Sequence, residues 1–114
     1  MRPINVQDPS GRAWTVTTSL EIVTLAERDA AIQQTAMTEE QARRASRRRG
    51  PRIGRVYGIP RSDDWMKERT QVTMIHARCG DEQRSWISPF VKERDVRAHA
   101  QGLAAQIERG ELPA

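Results

Sequence analysis

The sequence is poor in the residues that usually build a hydrophobic core. Leu, Ile, Val and Phe together account for only 20 of the 114 residues, and there is one Phe and one Tyr. A share this low is typical of disordered chains when the net charge is high. Here 19 basic residues stand against 15 acidic ones, so the net charge is only +4, and three Trp and four Met add core volume. We therefore expect a single small folded domain over residues 1–114, with a marginal core.

A single cysteine, Cys79, excludes an internal disulfide and any zinc site built from several cysteines. A membrane-spanning helix needs about 18 consecutive apolar residues, and no stretch of the sequence approaches that length. The chain opens with Arg2, Pro3 and Asn5, which is not the pattern of a signal peptide. We therefore expect no membrane contact and a cytoplasmic location.

Two stretches of alternating apolar and polar residues predict β-hairpins. The first places Val6 and Trp14 on one face, on either side of a turn at Asp8-Pro9-Ser10-Gly11. The second runs from Gln71 to Cys79, turns at Gly80-Asp81-Glu82 and returns over residues 83–87, which include Trp86. Trp14 and Trp86 are expected to be core or half-buried residues of the sheet because both fall within predicted strands.

Capping patterns predict the helices that complete the fold. Thr18 with Glu21 predicts a helix from about residue 20 to Thr35, and Thr38 with Gln41 predicts a second helix toward Arg49. The overall expectation is an α+β fold. It consists of two antiparallel β-hairpins, a long helical region (two helices, about 20–49) and a C-terminal amphipathic helix packed on the sheet.

The C-terminal helix is predicted to begin with Ser88 as its N-cap and Pro89 in its first turn, and to end at Gly110. Its apolar stripe consists of Val96, Ala100, Leu103, Ala104 and Ile107. Small residues in this stripe allow a close approach of the same helix from a second copy, which would make a homodimer. The alternative is that the stripe covers the sheet of its own chain.

Basic residues are concentrated in one segment, residues 41–61, which we name the arginine tract. It holds eight arginines and no acidic residue, although the chain as a whole has 15 acidic residues. Arginine binds phosphate oxygens through a planar fork and stacks on bases. We therefore predict a small non-enzymatic protein that binds DNA or RNA with low sequence specificity. The predicted contact residues are Arg43, Arg44, Arg47, Arg48, Arg49, Arg52 and Arg55, with Tyr57 positioned to stack on a base.

Other interpretations of the arginine tract stay open. Glu39 with Arg43 and Glu40 with Arg44 have the spacing of surface ion pairs on a helix, so the tract can be a solvated basic surface. The tract could also meet an acidic protein surface, with Trp65 as an exposed anchor of the interface. The chain would then be a protein-interaction module, such as an adaptor or inhibitor of the kind that phages and mobile elements encode.

No group of residues has the spacing that catalysis or metal binding requires. His76 and Cys79 lie three apart on a predicted strand, which directs their side chains to opposite faces of the sheet. The adjacent acids Asp63-Asp64 and Asp81-Glu82 occur at a predicted helix start and a turn, where capping explains them. We therefore expect no enzymatic activity, no metal and no cofactor.

Overall fold

The computed structural model describes residues 1–47 and 68–112. In chain order the elements are β1 (Ile4–Gln7), β2 (Ala13–Thr24), α1 (Leu25–Gln34), α2 (Glu39–Ala45), β3 (Arg69–Cys79), β4 (Glu82–Ser88) and α3 (Glu93–Glu108). The four strands form one antiparallel sheet in the order β1-β2-β3-β4, so each strand pairs with its neighbour in the sequence. The predicted α+β class is confirmed, and the two hairpins share one sheet.

The turn between β1 and β2 is organised by the Asp8 carboxylate. It accepts hydrogen bonds from the backbone N–H of Ser10 at 3.0 Å, from that of Arg12 at 2.9 Å and from the indole of Trp14 at 3.0 Å. Gly11 supplies the left-handed backbone conformation that the turn needs, with φ of 86°. The side-chain bonds from Ser10 and Trp14 are the main reasons that the pKa of Asp8 falls to about 2.

Strand β2 is longer than predicted, so the helix expected from about residue 20 begins only at Leu25. The pairing of β2 with β3 continues without a break from Thr15 to Thr24. The helix N-cap is Thr24, whose hydroxyl accepts from the Glu27 N–H at 3.2 Å. The capping box predicted at Thr18 is therefore wrong, because the ladder to β3 extends the strand past it.

The second predicted capping box is confirmed at the start of α2. The Thr38 hydroxyl accepts from the Gln41 N–H at 3.1 Å, and the Gln41 side chain accepts from the Thr38 N–H at 3.0 Å. This helix ends at Ala45, earlier than the predicted end at Arg49, which lies outside the described residues. Ser46 forms its C-cap and bonds back to the Ala42 carbonyl at 2.8 Å.

The core lies between α3 and the face of the sheet that carries Trp14 and Val16. Its cluster of buried residues consists of Trp14, Val16, Ile75, Ala77, Ala100, Leu103, Ala104 and Ile107, with Trp86 packed against it. The whole predicted stripe of α3 is buried, with Val96, Ala100, Leu103, Ala104 and Ile107 at most 6% exposed. The stripe therefore covers the sheet of its own chain, as the second of the two interpretations expected.

The start of α3 differs from the prediction. Ser88 is the last residue of β4 and is fully buried, and its hydroxyl bonds to Nδ1 of His99 at 2.9 Å. The helix begins at Glu93, with Lys92 as an N-cap that makes no side-chain bond. Ser88 is therefore not the N-cap of α3, because its hydroxyl contacts His99 in the middle of that helix.

The terminating glycine predicted at position 110 follows α3 directly, although the helix itself ends at Glu108 and Arg109 is its C-cap. Gly110 has φ of 73° and donates its N–H to the Ile107 carbonyl at 3.0 Å, which closes the last turn. A side chain at this position would also come within 3.2 Å of Pro9 in the first hairpin turn. Gly110 thus permits both the helix end and its close approach to the hairpin.

Among the described elements, only α1 packs on the opposite face of the sheet, and it does so at one end. Thr70 and Val72 lie on this face by alternation from Ile75, and they are 1% and 2% exposed. Helix α1 contacts β2, β3 and β4, and it buries Leu25, Arg28 and Ala31. The burial of Thr70 and Val72 together with these contacts assigns α1 to this end, and no described element covers the polar part of the face.

Candidate nucleic-acid interface

The arginine tract begins in α2, and the structure describes only its first part. Of the predicted phosphate-contacting residues, Arg43, Arg44 and Arg47 lie in the described residues. Those outside the described residues are Arg48, Arg49, Arg52, Arg55 and Tyr57, and so is the predicted protein-binding residue Trp65. The local geometry therefore bears on the first three arginines.

Two of these three arginines are exposed and have no ion-pair partner among the described residues. Arg43 and Arg47 are exposed, and neither side chain forms an ion pair within residues 1–47 and 68–112. Arg44 pairs with Glu40 on the preceding turn, which confirms one of the two predicted helix pairs. The other pair, between Glu39 and Arg43, is not formed. Both guanidinium groups can therefore meet an anion without first breaking an ion pair to a described carboxylate.

Arg28 holds the beginning of the arginine tract against α1. Its side chain is buried, with 6% of the residue exposed, and its Nη1 donates to the Arg47 carbonyl at 3.2 Å. The other guanidinium atoms bond to Asp29, from Nε at 3.2 Å and from Nη2 at 3.0 Å. The backbone of Arg47 is thus fixed by a buried donor on the neighbouring helix.

Arg28 was assigned no role in the sequence analysis. The available signal is its spacing, since Arg28 lies three residues after Leu25 and three before Ala31, both of which are buried. An arginine at that spacing falls on the apolar face of an amphipathic helix. A cation at such a position needs acceptors nearby, and Asp29 and the Arg47 carbonyl supply them.

A hydrogen-bonded chain of polar side chains crosses the open part of the sheet. His76 contacts the Ser19 hydroxyl through Nε2 at 2.8 Å and the Ser85 hydroxyl through Nδ1 at 2.7 Å. Because a hydroxyl can donate or accept, both contacts are compatible with either tautomer of the imidazole. Cys79 lies on the other face, packed against the core, so the predicted separation of His76 and Cys79 is confirmed.

The same face of the sheet holds a polar depression beside the hydrogen bonds of His76. It has a volume of about 450 Å³ and is lined by Thr15, Thr17, His76, Arg78 and Gln83. Arg78 donates to the Gln83 side-chain oxygen at 2.7 Å, which orients its guanidinium along the face. These side chains come from three adjacent strands. The sequence alone could not group them, because that requires the register of β2 with β3 and of β3 with β4.

The contact between Ser19 and His76 differs from the arrangement of a catalytic triad. In a triad the carboxylate bonds to the imidazole nitrogen that faces away from the serine. Here that nitrogen, Nδ1, contacts the neutral Ser85, while Glu21 lies 3.6 Å from Nε2, the nitrogen that already contacts Ser19. The carboxylate therefore cannot orient the ring for proton transfer from Ser19 in the way that a triad does.

No family model, no curated protein and no solved structure matches this chain. None of the helices in the described part of the chain is long and apolar enough to cross a membrane. Within the same residues, no group of three or more His, Cys, Asp or Glu side chains is placed to hold a metal ion. The residues of the arginine tract and of the open sheet face are therefore the basis for a functional hypothesis.

Proposed function

We propose that the chain is a small non-enzymatic protein that binds nucleic acid by contacting the phosphate backbone through the arginine tract. The observation that carries this proposal is the separation of charge. Residues 41–61 hold eight arginines and no acid, and in the described part Arg43 on α2 and Arg47 just after it form no ion pair. Clustered arginines displace the counterions that surround phosphates, which favours binding to DNA or RNA of any sequence.

The anchoring of Arg47 supports the same function. An anion-binding group contributes most when its backbone is already held in place before the ligand arrives. Arg28 fixes the Arg47 carbonyl at 3.2 Å, while the Arg47 side chain stays exposed. The first part of the tract thus combines one anchored backbone carbonyl, that of Arg47, with the exposed guanidinium groups of Arg43 and Arg47.

Paired charge removals test whether the tract itself binds. The variant Arg43→Gln with Arg47→Gln removes two exposed cations from the tract, and Arg94→Gln with Arg97→Gln removes two from exposed positions on α3. The binding of labelled single-stranded DNA, duplex DNA and RNA to the full chain at low salt should weaken about tenfold for the tract variant. The α3 variant should stay within about twofold of the wild type.

An equal loss of affinity in both variants would contradict the proposal, because it would show that only the net charge matters. Binding that is absent in the wild type at low salt would contradict it as well. Thermal unfolding of each variant provides the control for folding, and we expect both transitions to stay close to that of the wild type, because all four arginines are exposed or partly exposed.

A protein-interaction module is the second candidate function, and one specific observation favours it. Leu20 and Ile22 on β2 are 68% and 46% exposed, which is unusual for large aliphatic side chains that lie side by side on one face. An acidic partner could in addition meet the arginine tract. A pull-down from the native host separates the two functions, since partners of an interaction module stay bound after nuclease treatment and those of a nucleic-acid-binding protein do not.

A further inference from the structure

Within residues 1–47 and 68–112, one edge of the sheet has no pairing strand over residues 17–24 of β2. Strand β1 pairs with β2 only as far as the match of Ile4 with Val16, whereas β3 continues along β2 to Thr24. No strand of the described part of the chain pairs with the outer side of this segment. An open edge presents backbone N–H and C=O groups that can pair with another strand.

The same segment carries exposed apolar side chains. Leu20 and Ile22 are 68% and 46% exposed, and among the described residues the only other exposed large apolar side chain is Met1. Both lie on the face that carries Trp14 and Val16, but further along β2 than those core residues. A single charged residue, Glu21, interrupts the segment, and its side chain is on the opposite face.

The other edges of the sheet are protected in the ways that soluble proteins usually protect them. Strand β1 is only four residues long, and β4 carries Glu82 and Arg84 on its core-side face. Short length and charge both discourage pairing with another chain. Residues 17–24 combine an edge that no described strand pairs with exposed apolar side chains, and so differ from both of the other edges.

We propose that residues 17–24 of two copies of this chain pair with each other as antiparallel strands and join the two sheets into one. Two identical antiparallel strands are related by a two-fold axis, so each copy uses the same residues and the contact closes after two copies. In antiparallel strands, directly opposed residues have their side chains on the same face of the sheet. The two-fold axis must therefore pass midway between one residue and the same residue of the second copy.

Two registers place the two-fold axis at the middle of residues 17–24, one at Leu20 and one at Glu21, and charge distinguishes them. A register centred on Glu21 places two carboxylates directly opposite each other, which is destabilising. A register centred on Leu20 places Leu20 against Leu20 and Thr18 against Ile22, and it brings Glu21 opposite Ser19. Ser19 is uncharged and lies 3.5 Å from the Glu21 carboxylate of its own chain, so this register avoids setting two carboxylates directly opposite each other. The geometry therefore favours the register centred on Leu20.

Such a dimer does not depend on the proposed nucleic-acid binding. It would, however, carry two arginine tracts on one particle, and the second tract would bind at a high effective concentration once the first is bound. It also differs from the helix-mediated dimer considered from the sequence, since the stripe of α3 is already buried within its own chain.

Sedimentation of the full chain tests the association. The wild type should be a dimer at micromolar concentration, and Leu20→Glu, which sets two carboxylates face to face on the two-fold axis, should be a monomer. The control Gln101→Glu adds the same charge at an exposed position on α3 and should stay dimeric. Leu20 is 68% exposed, so the thermal transition of the Leu20→Glu monomer should remain cooperative. A monomeric wild type, or a dimer that survives Leu20→Glu, would overturn the proposal.

Cysteine cross-linking tests the register independently. In a Cys79→Ser background, Leu20→Cys should form a reducible dimer, because directly opposed residues have Cβ atoms about 4.5–5.5 Å apart and a disulfide can join them after a small adjustment. Glu21→Cys in the same background should remain uncross-linked. Cross-linking at position 21 but not at position 20 would overturn the register, and an absence of cross-linking at both positions would overturn the strand pairing.

Discussion

Replacing Arg28 by methionine should weaken the attachment of the arginine tract to α1. Methionine keeps an apolar stem of similar length, but it has no donor for the Arg47 carbonyl or for Asp29. A hydrogen bond from a charged donor contributes about 1.5–3 kcal/mol. The bonds to Asp29, which is 35% exposed, add only about 0–1 kcal/mol because solvent screens them.

Two effects oppose each other in this substitution. The protein loses these bonds, but it no longer has to bury a guanidinium that is 6% exposed, which recovers part of the desolvation cost. We therefore expect the free energy of unfolding to fall by about 1–2 kcal/mol. Arg28→Lys keeps the charge but cannot reach both acceptors with a planar fork, so it should lie between the wild type and Arg28→Met.

Urea denaturation measures this loss, and hydrogen exchange shows where it occurs. The amides of α2 and of Arg47 should exchange faster in Arg28→Met, while those of β3 keep their ranking as the slowest group. Arg94→Met on the exposed side of α3 is the matched control and should change stability by less than about 0.5 kcal/mol. An unchanged free energy of unfolding in Arg28→Met, with unchanged exchange in α2, would refute the role of Arg28.

Three further predictions concern caps and pH. Thr24→Val removes the N-cap of α1 and should lower the free energy of unfolding, measured by urea denaturation, by about 1 kcal/mol. Thr18→Val, in the middle of β2, should lower it by less than about 0.5 kcal/mol. The reverse order would contradict the observed helix start. The pKa of Asp8 is about 2 in the fold against an ordinary 3.8, so its contribution to stability is present above about pH 4 and is lost as the pH falls toward 2. Asp8→Asn should flatten that part of the stability profile, and an unchanged slope would count against the bonds to Asp8. Burial lowers the pKa of His99 below 6.5, so the unfolded chain takes up this proton more readily and stability should fall as the pH drops through 6.5. His99→Gln should remove this dependence, and a profile identical to that of the wild type would contradict it.

Elements defined by local patterns could be predicted from the sequence. The hairpin turn at Asp8, the capping box at Thr38 and the buried stripe of α3 each depend on residues close together in the chain. The start of α1 could not be predicted in this way, because Thr18 with Glu21 and Thr24 with Glu27 have the same capping-box pattern in the sequence, although only the second forms a cap. The choice between them is made by β3, which pairs with β2 up to Thr24.

The candidate sites also differ in whether the sequence alone predicts them or whether they depend on contacts between distant parts of the chain. The arginine tract is visible in the composition alone, since its charge is concentrated within residues 41–61. The chain of bonds through Ser19, His76 and Ser85 joins three strands, and it forms only because both registers bring these residues together. The role of Arg28 likewise depends on where the end of α2 lies relative to α1.

The dependence of nucleic-acid affinity on salt tests the central proposal most directly. Each phosphate neutralised on duplex DNA contributes a slope of about −0.9 to the plot of log affinity against log salt concentration. If most of the eight arginines of the tract contact phosphates, the wild type should show a slope of about −4 to −7, and Arg43→Gln with Arg47→Gln should reduce its magnitude by about 2. Binding that ignores salt, or a slope that the double variant leaves unchanged, would contradict nucleic-acid binding through the arginine tract.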